Sequence, residues 1–282
     1  MTEKPRKSSN VFFSLIADTF QEARARWLFW GLFALSSLLV VIFLFALQID
    51  LTAGAISLLG VQSTSRRIYN IQKFVNVSYS WVAIVLYVWG TFLATFASAG
   101  LIPSVLEAGR IALLLSKPIS RTTLLLGRFT GNLLVVSLNH IYLVGAVWLI
   151  LAVKTNIWDY RFLYAIPISI FIFAVLLCVV VLVGVISESP ALSVMAPVAL
   201  GLISALLAQY PTIIKLLDSE WSRQMWMILY WIVPKVFDLG SALKQLIQVD
   251  KQLDWITPVW TSAAFGFTAL LGAVYIFRKR DF

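Results

Sequence analysis

Six apolar stretches, each long enough to cross a bilayer, decide what this 282-residue chain can fold into. They run over 28–47, 79–101, 133–153, 162–186, 191–207 and 256–277. About 20 residues of helix are enough to cross the ~30 Å of hydrocarbon. Backbone groups in lipid must be satisfied within the segment, so each run is expected to be helical and the chain to be an all-α polytopic membrane protein. Composition agrees, with 60% of residues hydrophobic and only 12% charged. The charged residues could not cover a soluble core of that size, which excludes a soluble enzyme and a disordered tail. A single cysteine excludes an internal disulfide. The net charge of +9 then reads as membrane-flanking charge rather than a nucleic-acid surface.

The first run is too long for a signal-peptide core and lacks a small-x-small cleavage site behind it, so it stays as an anchor. Ahead of it Phe12, Ile16, Phe20, Ala23 and Trp27 share a helical face. That spacing predicts an amphipathic helix over 11–27, started by Ser9 or Asn10, which either lies in the membrane interface or packs as a soluble-style helix on another subunit. Only Ser187, Glu188, Ser189 and Pro190 separate the fourth and fifth runs, which predicts a tight hairpin with Pro190 in the first turn of the second helix. The connection over 208–255 is too long to be idle. It holds an apolar run over 226–233, too short to span and ended by Pro234, and then an amphipathic pattern of Val236, Leu239, Leu243, Leu246 and Ile247. A re-entrant or interfacial element is expected there, with Trp221, Trp226, Tyr230 and Trp231 at headgroup level.

With the N-terminus inside, twelve of the 22 Lys and Arg residues fall on cytoplasmic segments and ten outside, five of those ten in the long fifth connection, which counts little. Both termini are therefore expected to be cytoplasmic.

The most informative connection lies between the second and third runs. A short helix from about Val105 to Leu115 would carry Ile111, Leu114 and Leu115 on one face, and Lys117 and Pro118 would end it. Ser120 would cap a new helix starting at Arg121 and climbing into the membrane. Such a compact, basic element is either a plain connector or a rigid part able to take force from a soluble partner.

This stretch resembles the membrane subunits of ATP-binding-cassette transporters of the type 2 permease class. Glu107, Gly109, Ile111, Leu114, Leu115, Ser116, Pro118, Ile119, Ser120 and Arg121 fall on the pattern of that class, as do Leu125, Leu126, Gly127, Arg128, Phe129 and Gly131. Arg110 stands where Thr is usual, and Arg128 where Lys is usual. The segment from Asp18 to Arg24 and the basic ending from Tyr275 to Phe282 are also similar to the class. The resemblance implies one six-helix permease domain over 1–282, pairing with an identical or homologous second half and with cytoplasmic ATPase subunits in a bacterial inner membrane. It implies that the region 105–121, with Arg110 and Lys117 among its basic residues, is a coupling helix docking on the ATPase. The segment 11–27 becomes a connecting helix and 208–255 an extracytoplasmic re-entrant element. Export is the implied direction.

No G-x-x-x-x-G-K-[ST] loop occurs, so ATP and magnesium are expected in the partner, and this chain is expected to carry no cofactor and no catalytic residue. One His and one Cys do not make a zinc site. The cores of the six runs hold no Asp, Glu, Lys or Arg, whereas an ion-coupled carrier usually keeps one at mid-membrane. Asn139 and His140 near the middle of the third run are pathway or dimer contacts, or else interhelical hydrogen-bonding groups. Trp89, Thr91, Thr95 and Ser98 on the second run, with Ser193, Pro197, Gly201 and Ser204 on the fifth, are candidates to line a central cavity. Gly127 and Gly131 form a G-x-x-x-G that lets another helix approach closely. Two other functions remain open, a membrane scaffold for a soluble complex and a secondary carrier.

Overall fold

The computed structural model describes residues 8–25, 27–45, 47–50, 55–58, 61–64, 71–106, 120–216, 219–248 and 256–280. Its helices are α1 (Ser8–Ala25), α2 (Trp27–Phe45), α3 (Ile71–Ala97), α4 (Pro103–Leu106), α5 (Arg121–Thr155), α6 (Ala165–Ser187), α7 (Pro190–Leu207), α8 (Tyr210–Leu216), α9 (Glu220–Ile232), α10 (Val236–Gln248) and α11 (Ile256–Lys279). A 3-10 turn, Tyr160–Tyr164, leads into α6. The chain is an all-α polytopic membrane protein. Among the described residues, five helical segments are long and apolar enough to cross a membrane: Val75–Ala97, Arg121–Thr155, Tyr160–Ser187, Pro190–Leu207 and Ile256–Lys279. In the first expected span the apolar helix is shorter, Phe29–Phe45.

That helix is tied to α1 and to the second half of α5. Near one end of the bundle Trp30 Nε1 donates to the Arg24 carbonyl at 2.8 Å. At mid-height Asn139 Nδ2 donates to Ser36 Oγ at 3.0 Å, and at the other end Lys154 Nζ reaches the Phe43 carbonyl at 3.3 Å. Two apolar cores stack along the bundle. One, at the α1 end, gathers Leu15, Ile102, Leu125, Val185 and Phe277. The other, at the α10 end, gathers Tyr79, Leu86, Phe162, Leu243 and Ile247.

Several local signals act as the sequence predicts. Ser120 caps α5, its Oγ accepting from Thr123 N at 3.0 Å. Pro190 occupies the first turn of α7, and the turn before it puts Glu188 at φ 54°, in the left-handed region that ends helices. Val233, ahead of Pro234, is forced extended (φ −73°, ψ 138°), so α9 stops and α10 leaves at 72° to it.

Other features differ from expectation. α1 begins at Ser8, ahead of the expected caps Ser9 and Asn10. α5 starts twelve residues before the apolar run at 133 and is 35 residues long, because its first turns rest on α1 rather than on lipid. Between α2 and α3 lies an antiparallel meander that helical periodicity does not reveal: β1 (Leu47–Asp50), β2 (Ala55–Leu58) and β3 (Val61–Thr64) in the order β1-β2-β3. Of the expected helix from Val105 to Leu115, α4 covers the start, and residues 107–119 lie outside the described residues.

Candidate functional site

Three structural features bear on function, and the first is the joint between α1 and α5. Gly127 and Gly131 sit one turn apart on α5 and leave a flat strip. A β-carbon at Gly131 would meet Thr19 Cβ at 2.7 Å, and one at Gly127 would meet Leu15 Cβ at 2.9 Å. Backbone approach this close is what a small-xxx-small strip provides. Between the two glycines Arg128 is buried to 2% exposure and ion-paired with Asp18 at 2.9 Å and with Glu22. The expected apolar face of α1 is only partly what docks. Leu15 and Thr19 are buried on α5, Ile16 is half-buried and Phe20 is 38% exposed. Asp18 and Glu22 thus belong to the contact with α5, since a buried guanidinium requires carboxylates.

The second feature is the pair of anchors on either side of the 107–119 segment. On the N-terminal side, Ile102 and Pro103 press against α6 so closely that a β-carbon at Gly184 would meet Ile102 Cβ and Ser193 Oγ, each at 3.1 Å. Val105 and Leu106 are buried. On the other side, capped Ser120 opens α5 and Arg121 donates to the Arg278 carbonyl at 3.1 Å and to that of Arg280. Arg280 in turn pairs with Glu188 and donates to the Val185 carbonyl. These cations sit on the unsatisfied carbonyls at helix C-termini, where positive charge is favoured. Of the expected coupling residues, Ser120 and Arg121 are in this frame. Glu107, Gly109, Arg110, Ile111, Leu114, Leu115, Ser116, Lys117 and Pro118 lie outside the described residues.

The third feature is a cavity of about 560 Å³ among α3, α7 and α10, with Leu176 of α6 behind it. Thr91 and Thr95 line it, together with Pro197 and Gly201. The other candidate residues lie elsewhere. Trp89 is 39% exposed and outside the lining. Ser98 accepts from Asn132 Nδ2 at 2.7 Å, tying α3 to the base of α5. Asn139 makes the interhelical hydrogen bond to Ser36 already described. His140 is fully buried, with Nδ1 at 3.1 Å from the Val136 carbonyl and the ring stacked on Phe173. Ser193 bonds the Ser189 carbonyl within α7.

Ser204 has a role that sequence reasoning misses. Its Oγ accepts from the Phe237 amide at 3.1 Å, while Ser262 Oγ accepts from the Lys235 amide at 2.9 Å. α10 thus starts with two of its orphan amides satisfied by α7 and α11. Tyr87 adds a third tie, its hydroxyl donating to the Val236 carbonyl at 2.7 Å. Lys235 Nζ bonds the Tyr230 carbonyl at 2.7 Å and lies 3.1 Å from the centre of the Tyr230 ring. The α9–α10 elbow is therefore a fixed part of the cavity wall. Replacing Ser204 and Ser262 together with alanine would leave buried amides unpaired, at about 1–3 kcal/mol each. The thermal midpoint of the purified protein should fall, whereas either exposed Trp221→Ala or Trp260→Ala should leave it nearly unchanged.

Among the described residues no group of His, Cys, Asp and Glu could hold a metal ion. No curated protein matches the sequence. The profile of the family described as ABC-2 family transporter protein matches residues 13–276, which takes in most of α1, the long α5, both walls of the cavity and most of α11. The chain belongs to this ABC-2 family and is a membrane permease component of an ABC transporter.

Proposed function

We propose that the chain is the membrane half of an ATP-driven exporter, working as a dimer of halves with cytoplasmic ATPase subunits docked beneath. The observation that carries this reading is the mounting of the 107–119 segment. It leaves from buried Val105 and Leu106 and returns at capped Ser120, whose neighbour Arg121 is bonded to the end of α11. A push on a segment held at both ends moves the helices behind it, since packed cores have discrete arrangements rather than soft ones. ATP and magnesium belong to the partner, and the residues of 105–121 form the docking surface.

The same end of the bundle carries Arg121, Arg128, Arg278, Lys279 and Arg280. By the positive-inside rule this end is cytoplasmic. Both termini are then inside a bacterial cytoplasmic membrane, and the 208–255 region, with its bent α9–α10 pair, is extracytoplasmic. The whole of 1–282 acts as one permease domain. The cavity among α3, α7 and α10 is the route for the solute, closed on its open side by the second half.

Reconstitution tests the reading. Proteoliposomes with the permease and its ATPase should move solute outward only with hydrolysable ATP. Transport that persists without the ATPase would make the chain a secondary carrier. A complex that binds ATPase and moves no solute would make it a scaffold.

A further inference from the structure

The cavity has a shape and a polarity that narrow what can occupy it. From Trp81 to Thr95 its α3 wall runs 14 residues, about 21 Å, most of the way across the hydrocarbon. The cavity offers about 560 Å³, and its long apolar wall suits an extended hydrocarbon chain.

One charged group breaks the lining in a telling way. Lys244 is the one charged residue among the described lining residues, and its ammonium sits 4.4 Å from the centre of the Trp81 ring at the α10 end. The ring holds the cation in place, but no lining carboxylate answers its charge.

We infer that the cargo is a long-chain amphiphile with an anionic head. The head pairs with Lys244 at the α10 end and the chain lies along α3 and α7. This assignment rests on the exporter reading, in which the α10 end faces outward and Lys244 receives the head where it leaves the membrane.

The test uses the full-length protein in phosphatidylcholine nanodiscs, with fluorescent cis-parinarate as the bound probe and competitors that differ in one group. Oleate should displace the probe about tenfold better than methyl oleate, which has the same chain and no charge. Lys244→Met should erase that preference by weakening oleate alone. Gly201 lines the cavity and has open space around it, so Gly201→Phe should fold and block all competitors. Equal displacement by oleate and its ester, or a preference that survives Lys244→Met, overturns the anionic head. Unchanged binding to the Gly201→Phe protein overturns the site. With the ATPase present, ATP should release the probe to the outer face. A probe retained while ATP drives another solute outward marks a resident lipid and overturns the cargo assignment. Intact binding in a complex that moves nothing refutes the exporter reading instead.

Discussion

Undocking α1 by mutation should follow an order set by which charge is left behind. Asp18→Asn with Glu22→Gln leaves the Arg128 guanidinium, 3% exposed, with no counter-charge. Stranding a buried ion costs about 3–5 kcal/mol. Arg128→Met leaves two carboxylates instead. Asp18 is already 55% exposed and Glu22 18%, so both regain water with little movement and the cost drops to about 1–2 kcal/mol. Gly131→Leu acts without charge. Its β-carbon would lie 2.7 Å from Thr19 Cβ, an atom fixed to the backbone, so α1 must lift away. Trypsin cleavage after the exposed Arg24 reads the open population directly. A loss of about 3 kcal/mol corresponds to roughly a hundredfold faster cleavage. Gly131→Leu and the double acid variant should therefore be cut fastest, Arg128→Met moderately, and wild type slowest. Equal rates for all four would mean that the glycine strip and the ion pairs do not hold α1.

The elements that could be foreseen are those whose cause is local. The apolar runs mark the long helices, Ser120 marks the start of α5, Pro190 the start of α7 and Pro234 the elbow, because each acts on backbone within a few residues. The α1–α5 joint is different. Its ion pairs join residues 106 and 110 positions apart, and a G-x-x-x-G alone is too common to name its partner. The usable signal was combined: acids at 18 and 22 on one helical face, and an arginine between two glycines a turn apart. Thr91 and Thr95 looked like any helix-packing hydroxyls until α7 and α10 were brought beside them. Ser204 looked like their equal, yet it serves the start of α10. The β1–β3 meander escaped because strands of four residues between two long apolar helices carry too little period-two pattern to register.

Reversing the charge at Glu107 should uncouple the transporter while leaving the permease folded. On the exporter reading this residue opens the segment that meets the ATPase, one position after buried Leu106. An arginine there turns an attraction into a like-charge contact with any basic docking surface, and such contacts cost several kcal/mol across an interface. ATPase co-purification and permease-stimulated hydrolysis should each fall at least about tenfold, since 1.4 kcal/mol already gives that factor. Trypsin cleavage after Arg24 should stay at the wild-type rate, because α1 is held by α5 and by Trp30 of α2. Pro118→Gly probes stiffness instead of charge. It lets the chain ahead of Ser120 flex, so ATPase binding should persist while stimulated hydrolysis and transport drop together. Binding lost and hydrolysis lost would then separate into two variants, as expected of a surface that both docks a partner and carries its thrust to α5. If both variants bind and stimulate the ATPase as wild type does, force enters the membrane by another element.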